Sequence, residues 1–201
     1  MRIEIILFDG FDELDAIGPF EVFKNATDGG ADFDVRLVSS SPAREVIGAH
    51  GLHVRAHEPF PIADPPQLVI VPGGGWVARS PRGARAEVER GDIPARIKQL
   101  HTAGAAIAAV CTGAMLVAAA DLLRDRSATT HHCAIEDLRA AGVNLVDARV
   151  VDDGEIITCG GVTSGIDLAL WLVERYCGCD AAAAVEREME YERRGKVWRQ
   201  S

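Results

Sequence analysis

Hydrophobic and polar positions along the chain fall into short blocks whose period switches back and forth. "IEIILF" (3–8) is apolar at all but one position and predicts a buried strand. "LDAIGPFEVFKNA" (14–26) has a helical pattern with a kink or late start at Pro19. "FDVRLVSS" (33–40) alternates, with Phe33, Val35 and Leu37 on one face of a strand. "QLVIVPGGG" (67–75) predicts a strand that runs into a glycine loop. Residues 84–104 are helical with a break near Gly91 and Pro94, "AAIAAV" (105–110) is another buried strand, and a helix of small residues follows over 112–123. "AIEDLRAAG" (134–142) is a helix closed by a glycine. "EIITCGG" (155–161) is a strand entered from the Asp-Gly turn of "DDGE". Helices over 163–178 and 180–194 complete the pattern. In the first, Ile166, Ala169, Leu170 and Val173 share a face; in the second, Glu190 and Arg194 stand four residues apart. Alternating strands and helices, with several strands apolar throughout, predict a parallel sheet covered on both faces. No repeat or linker divides residues 1–201, so one domain is expected.

Composition narrows the function classes. No apolar run approaches the roughly 20 residues of a membrane span, and the opening "MRIEIILFDGFDELD" is not a secretory signal. The formal net charge is -9, and there is no long basic stripe, so nucleic acid is not an expected partner. The one basic cluster, "ERRGKVWR" near the end, is expected to be a solvated tail. Five cysteines, an odd number in a chain without a leader, point to reduced thiols and a cytoplasmic location.

Chemistry is densest in "AAVCTGAML" (108–116). A buried strand leads directly into Cys111, and a helix starts at once. A strand, a sharp turn and a helix lift a nucleophile onto the carboxyl edge of a sheet, provided the residues two before and two after it are small. Ala109 and Gly113 satisfy that condition. A thiol at a helix N-terminus is expected to favour thiolate, and the N–H of Thr112 would face developing negative charge. A second N–H is expected from Gly74 in "VPGGG". The same local pattern also suits an inert buried cysteine. Asp9, Asp12, Glu13, Asp15 and Glu21 are all candidates for an acid partner, and carboxylates in such a region are usually solvated.

"LDAIGPFEVF", "VIVPGGG", "AVCTGAMLVAAADLLRDRSATTHH" and "ITCGGVTSGIDLAL" together resemble the ThiJ/PfpI superfamily, over almost the whole chain and in the right order. The resemblance implies a three-layer α/β/α sandwich with a mostly parallel central sheet, of the glutamine amidotransferase-like (flavodoxin-like) class. Within the superfamily the chain is most similar to isonitrile hydratases, and also similar to the amidotransferase-like domains of AraC-type regulators. By this resemblance Cys111 matches the nucleophile and Asp15 the carboxylate facing it. Gly74 and Thr112 match the backbone donors, and Thr163 matches a position lining the pocket. Gly75 and Trp76 are placed in the same pocket. Thr112 departs from the protease-like branch, which has His directly after the cysteine. A carboxyl facing a thiolate should be pushed toward its protonated form by the like charge, which suits a general acid.

Other motifs carry less. "TTHHC" (129–133) is expected to be a structural junction and "CGC" (177–179) a turn, so no metal is expected. "PGGG" lacks the GK[ST] ending of a phosphate loop, so no nucleotide cofactor is expected. Trp76 either walls the pocket or lies in a subunit contact. The expected activity is hydration of a small electrophile, an isonitrile above others, by a homodimer. Conversion of 2-oxoaldehydes, or ligand or redox sensing, are the alternatives.

Overall fold

In the computed structural model of the protein, which describes residues 1–39, 45–60 and 64–200, the chain is a three-layer α/β/α sandwich around an eight-stranded sheet. In chain order its first half contains β1 (Arg2–Leu7), α1 (Glu13–Asp28), β2 (Asp34–Ser39), β3 (Glu45–Ile47), β4 (His53–Arg55), β5 (Glu58–Pro59), β6 (Leu68–Val71), α2 (Ala84–Arg90) and α3 (Asp92–Thr102). The second half contains β7 (Ala106–Ala109), α4 (Gly113–Ala119), β8 (Ser127–Ala128), α5 (Ile135–Ala140), β9 (Asn144–Leu145), β10 (Val150–Asp152), β11 (Ile156–Cys159), α6 (Ser164–Cys177), α7 (Cys179–Glu188) and β12 (Val197–Arg199). The last position of the strand expected over 33–40 lies outside the described residues.

The sheet order is β12-β10-β11-β7-β6-β1-β2-β5. All pairs are parallel except β10–β11, the hairpin around the expected Asp-Gly turn, where Gly154 N–H donates to Asp152 Oδ1 at 3.0 Å. From β1 the chain crosses to β2 on one side; from β6 it crosses to β7 on the other. Right-handed crossovers in opposite directions put their helices on opposite faces. Accordingly α1 packs with α6 and α7, whereas α2 packs with α3 and α4. The strand order reverses between β1 and β6, and such a reversal leaves a crevice beyond the carboxyl ends of the strands.

β1, β6, β7 and β11 are buried almost completely, which accounts for their continuous apolar runs. The helical break falls at Gly91, whose φ of 81° closes α2 and starts α3; Pro94 fits in the first turn of α3. Pro19 lies inside α1, which continues through it.

Four expectations are corrected. α4 ends at Ala119, short of the expected 123, and α7 ends at Glu188, short of 194. Glu190 therefore lies past the helix with φ 48°, and the expected Glu190–Arg194 pair has no helix to form on. The basic tail is not simply solvated: Val197–Arg199 adds to β10 as a parallel edge strand.

Candidate active site

The site is built on the carboxyl ends of β1, β6 and β7. β7 delivers Cys111 into a left-handed turn with φ 57°, a conformation costly for a residue with a side chain and kept only where its surroundings enforce it. Three bonds do so here. Cys111 N–H donates to Gly160 O at 3.1 Å, Gly113 N–H to Val110 O at 2.9 Å, and the buried Thr130 hydroxyl to Cys111 O at 2.8 Å. Gly113 is required by space: a Cβ there would stand well under 3.0 Å from the Val71 carbonyl oxygen. Ala109 is fully buried. Cys111 is 6 % exposed.

Asp15, fully buried in the first turn of α1, is brought against this thiol. Its Oδ2 accepts the Gly73 N–H at 2.9 Å, while Oδ1 has no hydrogen-bond partner of ordinary geometry among the described residues. Burial, then the charge of Asp12, pushes its pKa up to about 7; hydrogen bonds from Gly73, the Cys111 thiol and Val162 oppose that rise. The expected upward shift is present, with burial rather than the facing sulfur as its main cause.

The expected thiolate at Cys111 is corrected. Burial and the Asp15 charge raise the thiol well above its ordinary value, outweighing the backbone hydrogen bonds of Thr112 and Val162 that lower it. Below about pH 7 both groups are protonated. Above it one proton is shared between sulfur and carboxyl, and the titration belongs to the pair.

The glycine loop after β6 supplies the third side. Gly73 leaves no room for a Cβ because Thr112 Oγ1 and Thr112 N press against it. Gly74, with φ 121°, lies against the backbone of residues 10–12. The N–H of Gly74 is not free, as expected of an oxyanion donor: it donates to the Thr112 hydroxyl at 2.9 Å. The N–H of Thr112 faces the sulfur instead.

Gly75, with φ 66°, packs on Arg82 and Gly83. Trp76 is buried and fixed at both ends. Its indole N–H donates to Asp137 at 2.6 Å, and Arg85 stacks over the ring at 4.1 Å while bonding its carbonyl. With 6 % exposure it has little surface to give to a subunit contact. Thr163 is exposed at the start of α6, and its hydroxyl accepts a bond from Arg149 at 3.0 Å.

Each acid near Asp15 has a separate task. Asp9 accepts the Ile47 N–H at 3.0 Å, Asp12 caps α1 through the Leu14 N–H, Glu13 accepts bonds from residues 50 and 52, and Glu21 is exposed. Val162 and Thr130 were not foreseen. Val162 takes φ 48° in a second left-handed turn beside the thiol; its only sequence signal is the preceding "GG". Thr130 leaves none. "TTHHC" is the expected junction, a 3-10 turn in which His131 Nδ1 accepts from Cys133 N–H and the ring lies on Gly161. All five cysteines are free. Among the described residues no group of three or more His, Cys, Asp or Glu could hold a metal ion, and no helix is long and apolar enough to cross a membrane.

The profile of the DJ-1/PfpI family matches residues 1–175. The chain is 32% identical over 194 residues to the isonitrile hydratase of Pseudomonas putida, covering 95% of this chain and 78% of that protein. It is 29% identical to a deglycase of Pyrococcus abyssi, covering 79% and 89% of the two chains. The crystal structure of a ThiJ/PfpI family protein from Pseudomonas syringae superposes with a TM-score of 0.84 at 25% identity, over 96% of this chain and 76% of that one.

Proposed function

Because the chain belongs to the DJ-1/PfpI family, we propose that it is a cysteine-dependent hydratase that adds water to a small electrophilic carbon, with an alkyl isonitrile as substrate and an N-substituted formamide as product. One observation carries this reading: a thiol on an enforced left-handed turn faces a buried carboxyl whose pKa is about 7. Such a carboxyl can hold a proton at neutral pH and release it during reaction. The similarity to an isonitrile hydratase supports the substrate class.

Cys111 attacks the terminal isonitrile carbon, forming a carbon–sulfur bond as the proton shared with Asp15 passes to that carbon. The product is a thioimidate. Asp15, now a carboxylate, takes a proton from water as the oxygen adds to the same carbon. Collapse expels the sulfur, which recovers the proton held by Asp15, while the proton of the added hydroxyl passes to the nitrogen and leaves the formamide. Overall one water is added and nothing is oxidised. Two steps through a covalent intermediate replace one difficult hydration. The reading includes a homodimer in the cytoplasm and requires no cofactor.

The test is turnover of a bulky alkyl isonitrile by wild type and Cys111→Ala, followed by loss of isonitrile absorption and formamide proton resonances. Wild type should convert it and Cys111→Ala should not. If wild type leaves isonitrile intact but converts methylglyoxal to lactate, the second reading, suggested by the deglycase relative, replaces the first. If it turns over neither, yet an apolar ligand raises its Tm, a sensing role does.

A further inference from the structure

The β3–β4 hairpin stands outside the main sheet, paired only with itself, Val46 opposite Val54. It nevertheless touches the start of α1 at several points. Gly10 N–H donates to Ile47 O and Ala49 N–H to Phe11 O, both at 2.8 Å. Its tip, residues 48–52, converges on one side chain. Glu13 Oε1 accepts His50 N–H at 2.7 Å and Leu52 N–H at 3.4 Å, while Oε2 pairs with the His50 ring at 2.6 Å. The carboxylate occupies the space over Gly48, where a Cβ would lie under 3.0 Å from it. Burial acts to raise the Glu13 pKa, but the His50 and backbone bonds hold it below its usual value, so the clamp is ionised at neutral pH.

Glu13 is the first residue of α1, between the cap Asp12 and the buried Asp15. Asp12 N–H donates to Gly73 O, and Gly73 N–H donates back to Asp15. The first turn of α1 is therefore held on one side by the glycine loop and on the other by the hairpin tip. We propose that Glu13 is a positioning residue: by clamping the hairpin tip to this turn it sets the placement of Asp15 against Cys111. The hairpin thereby becomes part of the site's frame. The inference rests on the Cys111–Asp15 pairing used in the hydratase reading, and its test needs no substrate.

The test is the pH profile of Cys111 alkylation by iodoacetamide, mapped by mass spectrometry, alongside Tm. Asp15, Asp12 and Cys111 face one another, and His50 faces Glu13; in wild type the rate should rise through an inflection near pH 7. Glu13→Ala should displace that inflection and change the neutral-pH rate by roughly 10–10²-fold, the upper end being what a misplacement of about 1 Å can cost. Glu13→Gln keeps an acceptor for the two N–H groups and should restore most of the wild-type profile. Gly48→Ala provides an independent approach: its Cβ evicts the intact Glu13 carboxylate, and it should reproduce Glu13→Ala. Glu21→Ala, on the exposed face of α1, should match wild type. If Glu13→Ala and Gly48→Ala lower Tm but keep the wild-type inflection and rate, Glu13 only holds the fold and the inference fails. If wild type itself lacks the inflection, the Cys111–Asp15 coupling fails and this inference with it. A normal profile in a protein that turns over no isonitrile would overturn the substrate and leave Glu13's role intact.

Discussion

The neighbouring parallel strands β7 and β11 both end in a turn that enters the left-handed region and then starts a helix. At the end of β7 the turn residue is Cys111, with φ 57°; at the end of β11 it is Val162, with φ 48°. The two turns lean on each other, Cys111 N–H on Gly160 O in one direction and Val162 toward the thiol in the other. They differ in what lies behind them. Gly113, two residues past the cysteine, abuts the backbone oxygen of Val71, which cannot retreat. Gly165, three past Val162, meets side chains instead, Val110 at 3.0 Å and Pro19 at 3.5 Å. The same backbone conformation is rigid where the thiol sits and more forgiving where only an N–H is presented. Strain alone thus does not tell the two turns apart; the immovable main chain behind the thiol turn does.

The largest expected effect in this comparison concerns the carboxyl between the two turns. Asp15→Asn keeps an oxygen for the Gly73 N–H but cannot deliver a proton, so isonitrile turnover should fall by ~10²–10⁴-fold in a folded protein. Stability should move the opposite way. A carboxyl whose folded pKa is raised from 3.8 to about 7 makes the wild type lose stability as pH climbs through that window, because the unfolded chain releases the proton first. The variant lacks that loss. Denaturant melts should show little difference at pH 4 and an advantage to Asp15→Asn approaching, at most, roughly 4 kcal/mol at pH 8. A flat difference across pH would mean that Asp15 is not the buried acid described here.

Next come the two glycines. Gly113→Ala must displace main chain and should cost more than about 3 kcal/mol, the upper range for overpacking. Gly165→Ala asks only for a small shift of Val110 and should cost about 1 kcal/mol, the lower end of that range. Chemical denaturation of both variants decides it, and equal losses would erase the contrast. Smallest is Val162→Gly. It relieves a left-handed β-branched residue, worth about 1–3 kcal/mol, but loosens the unfolded chain by roughly 1 kcal/mol. A shift of Tm by only a few degrees is expected, with Cys111 alkylation nearly unchanged since the N–H is retained.

Much of the sandwich was legible because its central strands are buried on both faces and therefore read as unbroken apolar runs. What escaped was structure made by pairing rather than by pattern. Ser127–Ala128 and Asn144–Leu145 are two-residue strands, too short to carry a period. Val197–Arg199 is a strand because β10 offers it an edge. In the site, the strand–turn–helix signature marked Cys111, yet Asp15 could be told from Asp9, Asp12 and Glu13 only by resemblance. All four are acids between the end of β1 and the first turn of α1, and what separates them is the tertiary partner each one meets. Thr130 donates its hydroxyl to the Cys111 carbonyl and Val162 acts through its backbone N–H, and a sequence does not display such roles. The thiolate expectation fails on magnitude: desolvation of the buried thiol outweighs what a helix end contributes.

The bond between the Gly74 N–H and the Thr112 hydroxyl has a consequence for selectivity. A site with a vacant donor would grip any polar atom that entered, reactant and reacting species alike. Here an incoming atom must outcompete a hydroxyl oxygen already in place, and a neutral ligand gains little from the exchange. On the hydratase reading proposed above, only an atom gathering negative charge would improve on it, so the donor's attraction would be withheld until bonds begin to rearrange and then spent on the transition state.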